Sequence, residues 1–354
     1  MNIKTQLPSF YRMVPKEELQ CAGMVQLLLQ FQWTWIGTVT GDYDLGDKFL
    51  QTFLPMLSKT NICVALMVKI PIVTYSINVM ELWIIWKPLY YSIIRSTIKA
   101  FVVNADYKTI SCFQWLLYMN SMSEGIPEVA LAKVWIMTAH WEFSSGSVHR
   151  GLDISVFHGA LSFAIHSKKI MEFHKFLQFL QPSSPNGDGF LRIFWEQAFN
   201  CLFDDSSETL KSSDICTGEE KLESLPGVFF ETRMTGLSYS VYNAVYAIAH
   251  ALHKVYVLRG KLGEKEDRGR IDLPHLQHWQ MHPFLRSISF NNSAGDLVYL
   301  NENGELAAGL DIVNWVTFPN QSFSRVKVGT LDPQASPDHE LSVKVEAITL
   351  AQRI

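Results

Sequence analysis

The sequence is poor in charge. Charged residues make up 18% of its 354 positions, against about 25% in an average soluble protein. With 48% hydrophobic and 12% aromatic residues, an intrinsically disordered chain is excluded. An excess of basic residues is also missing: 30 Lys and Arg face 34 Asp and Glu, a formal net charge of −4. Phosphate recognition needs a clustered basic surface, so a nucleic-acid partner is excluded. The five cysteines include no CxxC pair, which excludes a zinc ribbon and a thioredoxin-type motif. No apolar run reaches the roughly 20 residues that a bilayer-crossing helix needs. The best windows, 81–101 and 241–258, are broken by Lys87, Pro88, Arg95 and Lys99, and by His250, His253 and Lys254. Both read as buried or half-buried elements of a soluble fold. Residues 1–18 hold two prolines and no apolar core of a secretory signal. GxGxxG, Walker A, GxSxG and HExxH motifs are all missing. No reaction class or cofactor is therefore indicated.

What is present is an alternation of periods. The length corresponds to about two domains or lobes. Helical spacing runs over 19–31, with Met24, Leu27, Leu28 and Phe31 on one side, and again over 46–57 and 107–122. Short aromatic and β-branched runs at 33–40, 62–70, 99–103 and 133–138 read as buried strands. Such βαβα order predicts α/β architecture with a largely parallel sheet covered on both faces. Segments 159–170 and 170–179 are helical in pattern. Residues 239–258 predict a long helix whose apolar arc is wide enough to be covered on most sides. The stretch 296–328 is strand-like, with a hairpin turn at 301–304. After Asp332 the pattern is lost, as in a linker.

Few constellations carry chemistry. His275, His278 and His282 fall at i, i+3 and i+7, a spacing that fits metal ligands or equally surface histidines on an amphipathic helix. Asp42, Asp44 and Asp47 lie where a strand meets a helix. Ligands of parallel α/β sheets bind outside the carboxyl ends of strands, although acids also favour a helix first turn for its dipole alone. Tyr43 between them offers a ring face to a cation. Cys201 and Cys216 flank a polar stretch. Bridged, they would close a loop worth about 3 kcal/mol, and composition leaves the pairing open.

Several blocks, in order along the chain, resemble the extracellular ligand-binding domain of class C G-protein-coupled receptors, and vomeronasal type-2 receptors in particular. They are PSFYRMVPKEE (8–18), FQWTWIGTVTGDYDLGDKF (31–49), KVWIMT (133–138), FWEQAFN (194–200), DICTG (214–218), SYSVYNAVYAIAHALH (238–253) and VKVGTLD (326–332). The resemblance implies a type I periplasmic-binding-protein-like clamshell of two doubly wound lobes, with the first half of lobe 1 missing. Residues 1–17 would hold the end of the first lobe 1 segment and a crossover. Residues 18–155 would form lobe 2 and 156–290 the second half of lobe 1. Residues 291–332 would return to lobe 2, and 333–354 would be a divergent tail or linker. The family's signal peptide, cysteine-rich module and seven-helix bundle would lie outside this sequence.

The resemblance implies a peptide or amino-acid-like ligand, a receptor dimer partner, and a G protein reached only through the seven-helix domain. It implies the extracellular side of the plasma membrane, and no enzyme activity. Glu17 matches an acidic position that holds a ligand ammonium. Leu45 stands where relatives carry a stacking aromatic, and a cation–π contact cannot be made by Leu. Ala139, with His140 next to it, stands at a further acidic position. Glu17, Asp42, Tyr43, Leu45 and His140 are therefore expected at one interlobe mouth. An oxidising compartment makes a Cys201–Cys216 disulfide expected, with Cys63 left unpaired. Asn291 and Asn320 begin Asn-x-Ser sequons. A free-standing soluble binding protein of the periplasmic type is the alternative reading.

Overall fold

The computed structural model describes residues 9–71, 79–124, 133–139, 155–182, 189–203, 215–225, 230, 232–261, 277–319, 322–336 and 339–350. In chain order the first elements are α1 (Glu17–Gln30), β1 (Trp35–Gly41), α2 (Asp44–Leu57), β2 (Cys63–Ile70), α3 (Val79–Ile94), β3 (Ala100–Asn104), α4 (Tyr107–Glu124) and β4 (Val134–Met137). They are followed by β5 (Leu161–Ile165), α5 (Met171–Gln178), α6 (Gly189–Phe199), α7 (Gly236–Lys261) and α8 (His282–Arg286). The chain then forms β6 (Ser289–Asn291), β7 (Leu297–Tyr299), β8 (Leu310–Thr317), β9 (Phe323–Leu331) and β10 (Leu341–Val343).

One eight-stranded sheet runs β10-β9-β8-β5-β4-β3-β1-β2. Strands β1 to β5 pair in parallel, and β8, β9 and β10 are antiparallel to their neighbours. The alternation of side chains along each strand divides the interior into two cores. Val39, Phe101, Val103 and Met137 face one side, where Trp86, Tyr90 and Ile93 of α3 and Phe113 and Leu116 of α4 pack. Ile36, Val102 and Ile136 face the other, against Met24 and Leu27 of α1 and Phe49 and Phe53 of α2. Helices thus cover both faces, as βαβ crossovers require. Phe49 and Phe53 are fully buried and stack at 5.1 Å; emptying such a position costs about 3–5 kcal/mol.

The chain between β5 and β8 packs separately. The β6–β7 hairpin and Ala247 of α7 form one small core, and Leu177, Trp195 and Leu222 anchor another. Asn200 ends α6 with φ 55°, a left-handed conformation that Asn tolerates. No helix among the described residues is long and apolar enough to cross a membrane.

Three expectations differ from the structure. The segment 159–170 contains strand β5, whose Leu161, Phe163 and Ile165 alternate with Ser162 and Ala164. The small residues lent it helical character, but pairing on both sides with β4 and β8 decides. The segment after Asp332 adds edge strand β10 and a hydrogen bond from Thr349 N–H to Asn314 Oδ1 at 2.8 Å. Three residues are too few to show a period. On α7, Val241 is 64% exposed and Val245 59%, so the wide apolar arc is not covered among the described residues.

Candidate functional site

The parallel strands β1, β3 and β4 end together at one edge. Thr40 pairs in register with Asn104, and Thr138 N–H donates to Val103 O at 3.1 Å. Alternation turns Thr40, Asn104 and Thr138 to the face that α1 and α2 cover. All three are buried. The first turn of α1 reaches the same corner, where Gln20 Oε1 accepts the Ala139 N–H at 2.8 Å. Glu17 lies one turn before Gln20 and so on the same side of the helix.

Thr40 Oγ1, Thr138 Oγ1 and Glu17 Oε1 are buried, and no hydrogen-bond partner reaches them among the described residues. A buried polar atom left unpaired costs about 1–3 kcal/mol, and native structures hold few. Two of them at the carboxyl ends of parallel strands and one in the first turn of α1 mark where a polar ligand or ordered water would be held.

The loop after β1 is tied down more than its sequence suggests. Asp42 is exposed, and its N–H donates to Ile70 O at 2.8 Å. Lys69, at the end of β2, reaches Asp47 at 2.6 Å and Asp42 at 3.7 Å. The Asp47 hydrogen bond raises the Lys69 amine against its slight desolvation, and the charges of Asp47 and Asp42 add to the rise. Lys69 therefore offsets part of the negative charge of the acidic cluster, through Asp47 and Asp42, from the neighbouring strand, a partner that the local sequence around Asp42 does not reveal.

Tyr43 precedes α2 in extended conformation, and its hydroxyl lies 3.1 Å from Thr109 Oγ1 at the start of α4. Burial pushes its phenol up to about 12. Leu45 is half-buried in the first turn of α2. Gly46 is required there by close approach, because a Cβ would lie 2.1 Å from the Gly41 carbonyl oxygen.

Glu17 and the end of β4 thus share a corner. Asp42 and Tyr43 sit two strands away, about 10 Å by strand spacing. His140 lies outside the described residues. Thr40, Thr138 and Gln20 are the site residues that sequence reasoning missed. For the two threonines the signal was a polar residue ending a buried apolar strand; Gln20, on α1, carried no such signal.

A cavity of about 490 Å³ opens beside the α1 first turn, lined by Val14, Lys16, Leu19, Tyr299, Glu305 and Gln334 among others. Its polar groups are satisfied: Lys16 pairs with Glu305 at 2.8 Å, and Tyr299 OH donates to Gln334 Oε1 at 2.6 Å. The strand edge is therefore the stronger candidate.

The other expected sites resolve separately. Cys201 and Cys216 are disulfide-bonded with Cα atoms 5.0 Å apart, and Cys63 is exposed and unbridged. Of the three histidines, His282 stacks on Tyr11 with centroids 5.8 Å apart and lies 3.1 Å from its hydroxyl. His282 itself opens α8, with Pro283 in its first turn, while His278 belongs to a separate 3-10 turn, which breaks the single helical face expected for the three. His275 and the side chain of His278 lie outside the described residues, among which no metal-binding cluster occurs. Asn291 is exposed on β6, and Asn320 lies outside the described residues.

Comparison with known proteins agrees with this architecture. Residues 1–317 match the family described as receptor family ligand binding region. The pig extracellular calcium-sensing receptor is 26% identical over 368 aligned positions, covering 98% of this chain and 33% of the receptor. Mouse vomeronasal type-2 receptor 26 is 27% identical over 350, covering 99% of this chain and 38% of the receptor. Human G-protein coupled receptor family C group 6 member A is 23% identical over 328, covering 88% and 32%. The chain spans about a third of the length of these relatives. It belongs to the receptor family ligand binding region, and it is homologous over nearly its whole length to that region of class C G-protein-coupled receptors.

Proposed function

We propose that this chain is the extracellular ligand-binding region of a vomeronasal type-2-like chemosensory receptor, and that its ligand is a peptide or amino-acid-like molecule. The observation that carries the reading is the set of unpartnered buried oxygens, Glu17 Oε1, Thr40 Oγ1 and Thr138 Oγ1, at one edge of the parallel sheet. Acceptors there suit the ammonium and amide N–H groups of such a ligand. Asp42, Tyr43 and Leu45 complete the rim of the site in this reading, with His140 assigned to it from sequence alone.

The large sheet with its helices is one lobe, and the chain between β5 and β8 belongs to the other. Ligand binding acts by favouring the closed arrangement of the two, a population shift. In the full receptor the domain sits on the extracellular side of the plasma membrane, works as a dimer, and reaches a G protein through the membrane domain. Asn291 and Asn320 are glycan acceptors in this reading. Expression in a secretory host followed by glycosidase treatment should give a mass shift, and its absence would remove that assignment.

The main test is a thermal-shift and calorimetric screen of free amino acids and short peptides. A ligand at 100 times its Kd raises stability by about 2.7 kcal/mol. Glu17→Gln and Thr138→Val should each weaken it at least about tenfold. A ligand held equally well by both variants would place the site elsewhere. No response to either ligand class would sink the reading.

A further inference from the structure

His166, the first residue after β5, is surrounded by charge. Its Nδ1 lies 3.0 Å from Asp311 Oδ2 on β8, and its Nε2 lies 3.2 Å from Asp296 Oδ2 in the β6–β7 turn. A carboxylate can only accept. Both contacts are hydrogen bonds only if both ring nitrogens carry protons, and the imidazolium alone does that. A neutral ring has one N–H, so its other nitrogen would turn a lone pair towards a carboxylate oxygen.

The surrounding charges are arranged to permit the cation. Lys168 reaches Asp296 Oδ1 at 2.6 Å, and Lys327 of β9 reaches Asp311 Oδ1 at 2.6 Å. Each lysine thus takes the oxygen that the imidazole does not. Tyr239 of α7 donates to Asp296 Oδ2 at 2.5 Å, and its ring stands edge-on to His166 with centroids 6.4 Å apart. Asn292 Nδ2 in turn donates to Tyr239 OH at 2.6 Å. Burial works to raise both carboxyls, and these donors override it and hold them low. The Asp311 hydrogen bond raises the His166 imidazole. Burial opposes the rise, the two carboxylate charges support it, and Lys327 works against it.

We infer that His166 is a proton-operated latch, holding the β6–β7 hairpin and α7 to the large sheet while its ring is doubly protonated. The latch stands where the chain leaves β5 and where it re-enters at β8. Losing the proton opens one of its two links without breaking a strand pair. Because its proton affinity is higher in the folded state, the stabilisation is complete below the unfolded value of about 6.5. It is lost as pH rises through the higher folded value. Nothing in this inference depends on the ligand site.

The test uses the full chain labelled with ¹⁵N in its imidazoles. Two-bond ¹H–¹⁵N correlations are followed from pH 5 to 9, and the His166 signals are identified by their loss in His166→Gln or, if that misfolds, in His166→Asn. The expected result is a ring doubly protonated at pH 7, with both nitrogens at imidazolium shifts. Amide protection over 289–299, corrected for intrinsic exchange, should fall as the ring loses its proton. Asp296→Asn should lower the proton affinity of His166 by about tenfold. A single tautomer at pH 7 would overturn the latch. So would hairpin protection that does not change across the titration.

Discussion

The Ala139 N–H donates to Gln20 Oε1 at 2.8 Å across 119 residues of chain. This bond fixes the first turn of α1 to the end of β4, and both groups are buried. Gln20→Leu keeps the volume and removes the acceptor, leaving the N–H orphaned. Urea denaturation should show a loss of about 1–3 kcal/mol, with Gln20→Glu losing less.

Thr40 and Thr138 should behave in the opposite way. Their hydroxyls have no partner among the described residues, so an isosteric methyl removes a desolvation cost. Thr40→Val and Thr138→Val should leave the melting temperature unchanged or raise it, while ligand affinity falls. Such a trade is expected where stability has been given up for a site. A loss of more than about 1 kcal/mol on either change would show that the hydroxyl is satisfied.

Gly46→Ala tests the seat of the site loop. The new Cβ would meet the Gly41 carbonyl at 2.1 Å, and backbone cannot swing aside as a side chain can. Overpacking of this kind costs about 1–3 kcal/mol. The measurable sign is a lower denaturation midpoint together with exchange broadening of the Tyr43 and Leu45 amides.

Acid should loosen the turn that follows the disulfide through Glu220. Its carboxylate accepts from Trp195 Nε1 at 2.7 Å, Thr217 N–H at 2.7 Å and Gly218 N–H at 2.9 Å. Burial works against the charge, but these donors hold the carboxyl down at about 2, from an ordinary value of 4.5. Its contribution is present above pH 4.5 and fades as pH falls towards 2. Glu220→Gln should flatten stability against pH within that window. Cys216→Ser should cost about 3 kcal/mol at any pH.

Much of the fold was legible because its signals are local. Val39 and Val103 lie in short apolar runs whose length and composition mark buried strands, and Met24 and Leu27 repeat at helical spacing. β5 was not legible, since Ala160, Ser162 and Ala164 suit a helix and only its two neighbours make it a strand. β10 has three residues, and its pairing with β9 is wholly tertiary. At the candidate site, the blocks around Glu17 and Asp42 lie near the carboxyl ends of β1 and β4. Lys69, Thr40 and Thr138 escaped because their roles arise across strands. The disulfide followed from compartment, and the Asp296–His166–Asp311 bridge joins residues too far apart for any motif.

The pairing of β5 with β8 bears on how the protein is made. Trp315 Nε1 donates to Ser162 Oγ at 2.9 Å from 153 residues away, while β1 to β4 are joined by short crossovers. A nascent chain can therefore assemble β1 to β4 early, yet β5 waits with an open hydrogen-bonding edge until β8 leaves the ribosome. Closing so long a loop is slow, and an unpaired edge invites association between chains. Yield on expression should depend on holdase chaperones that shield β5 during this interval.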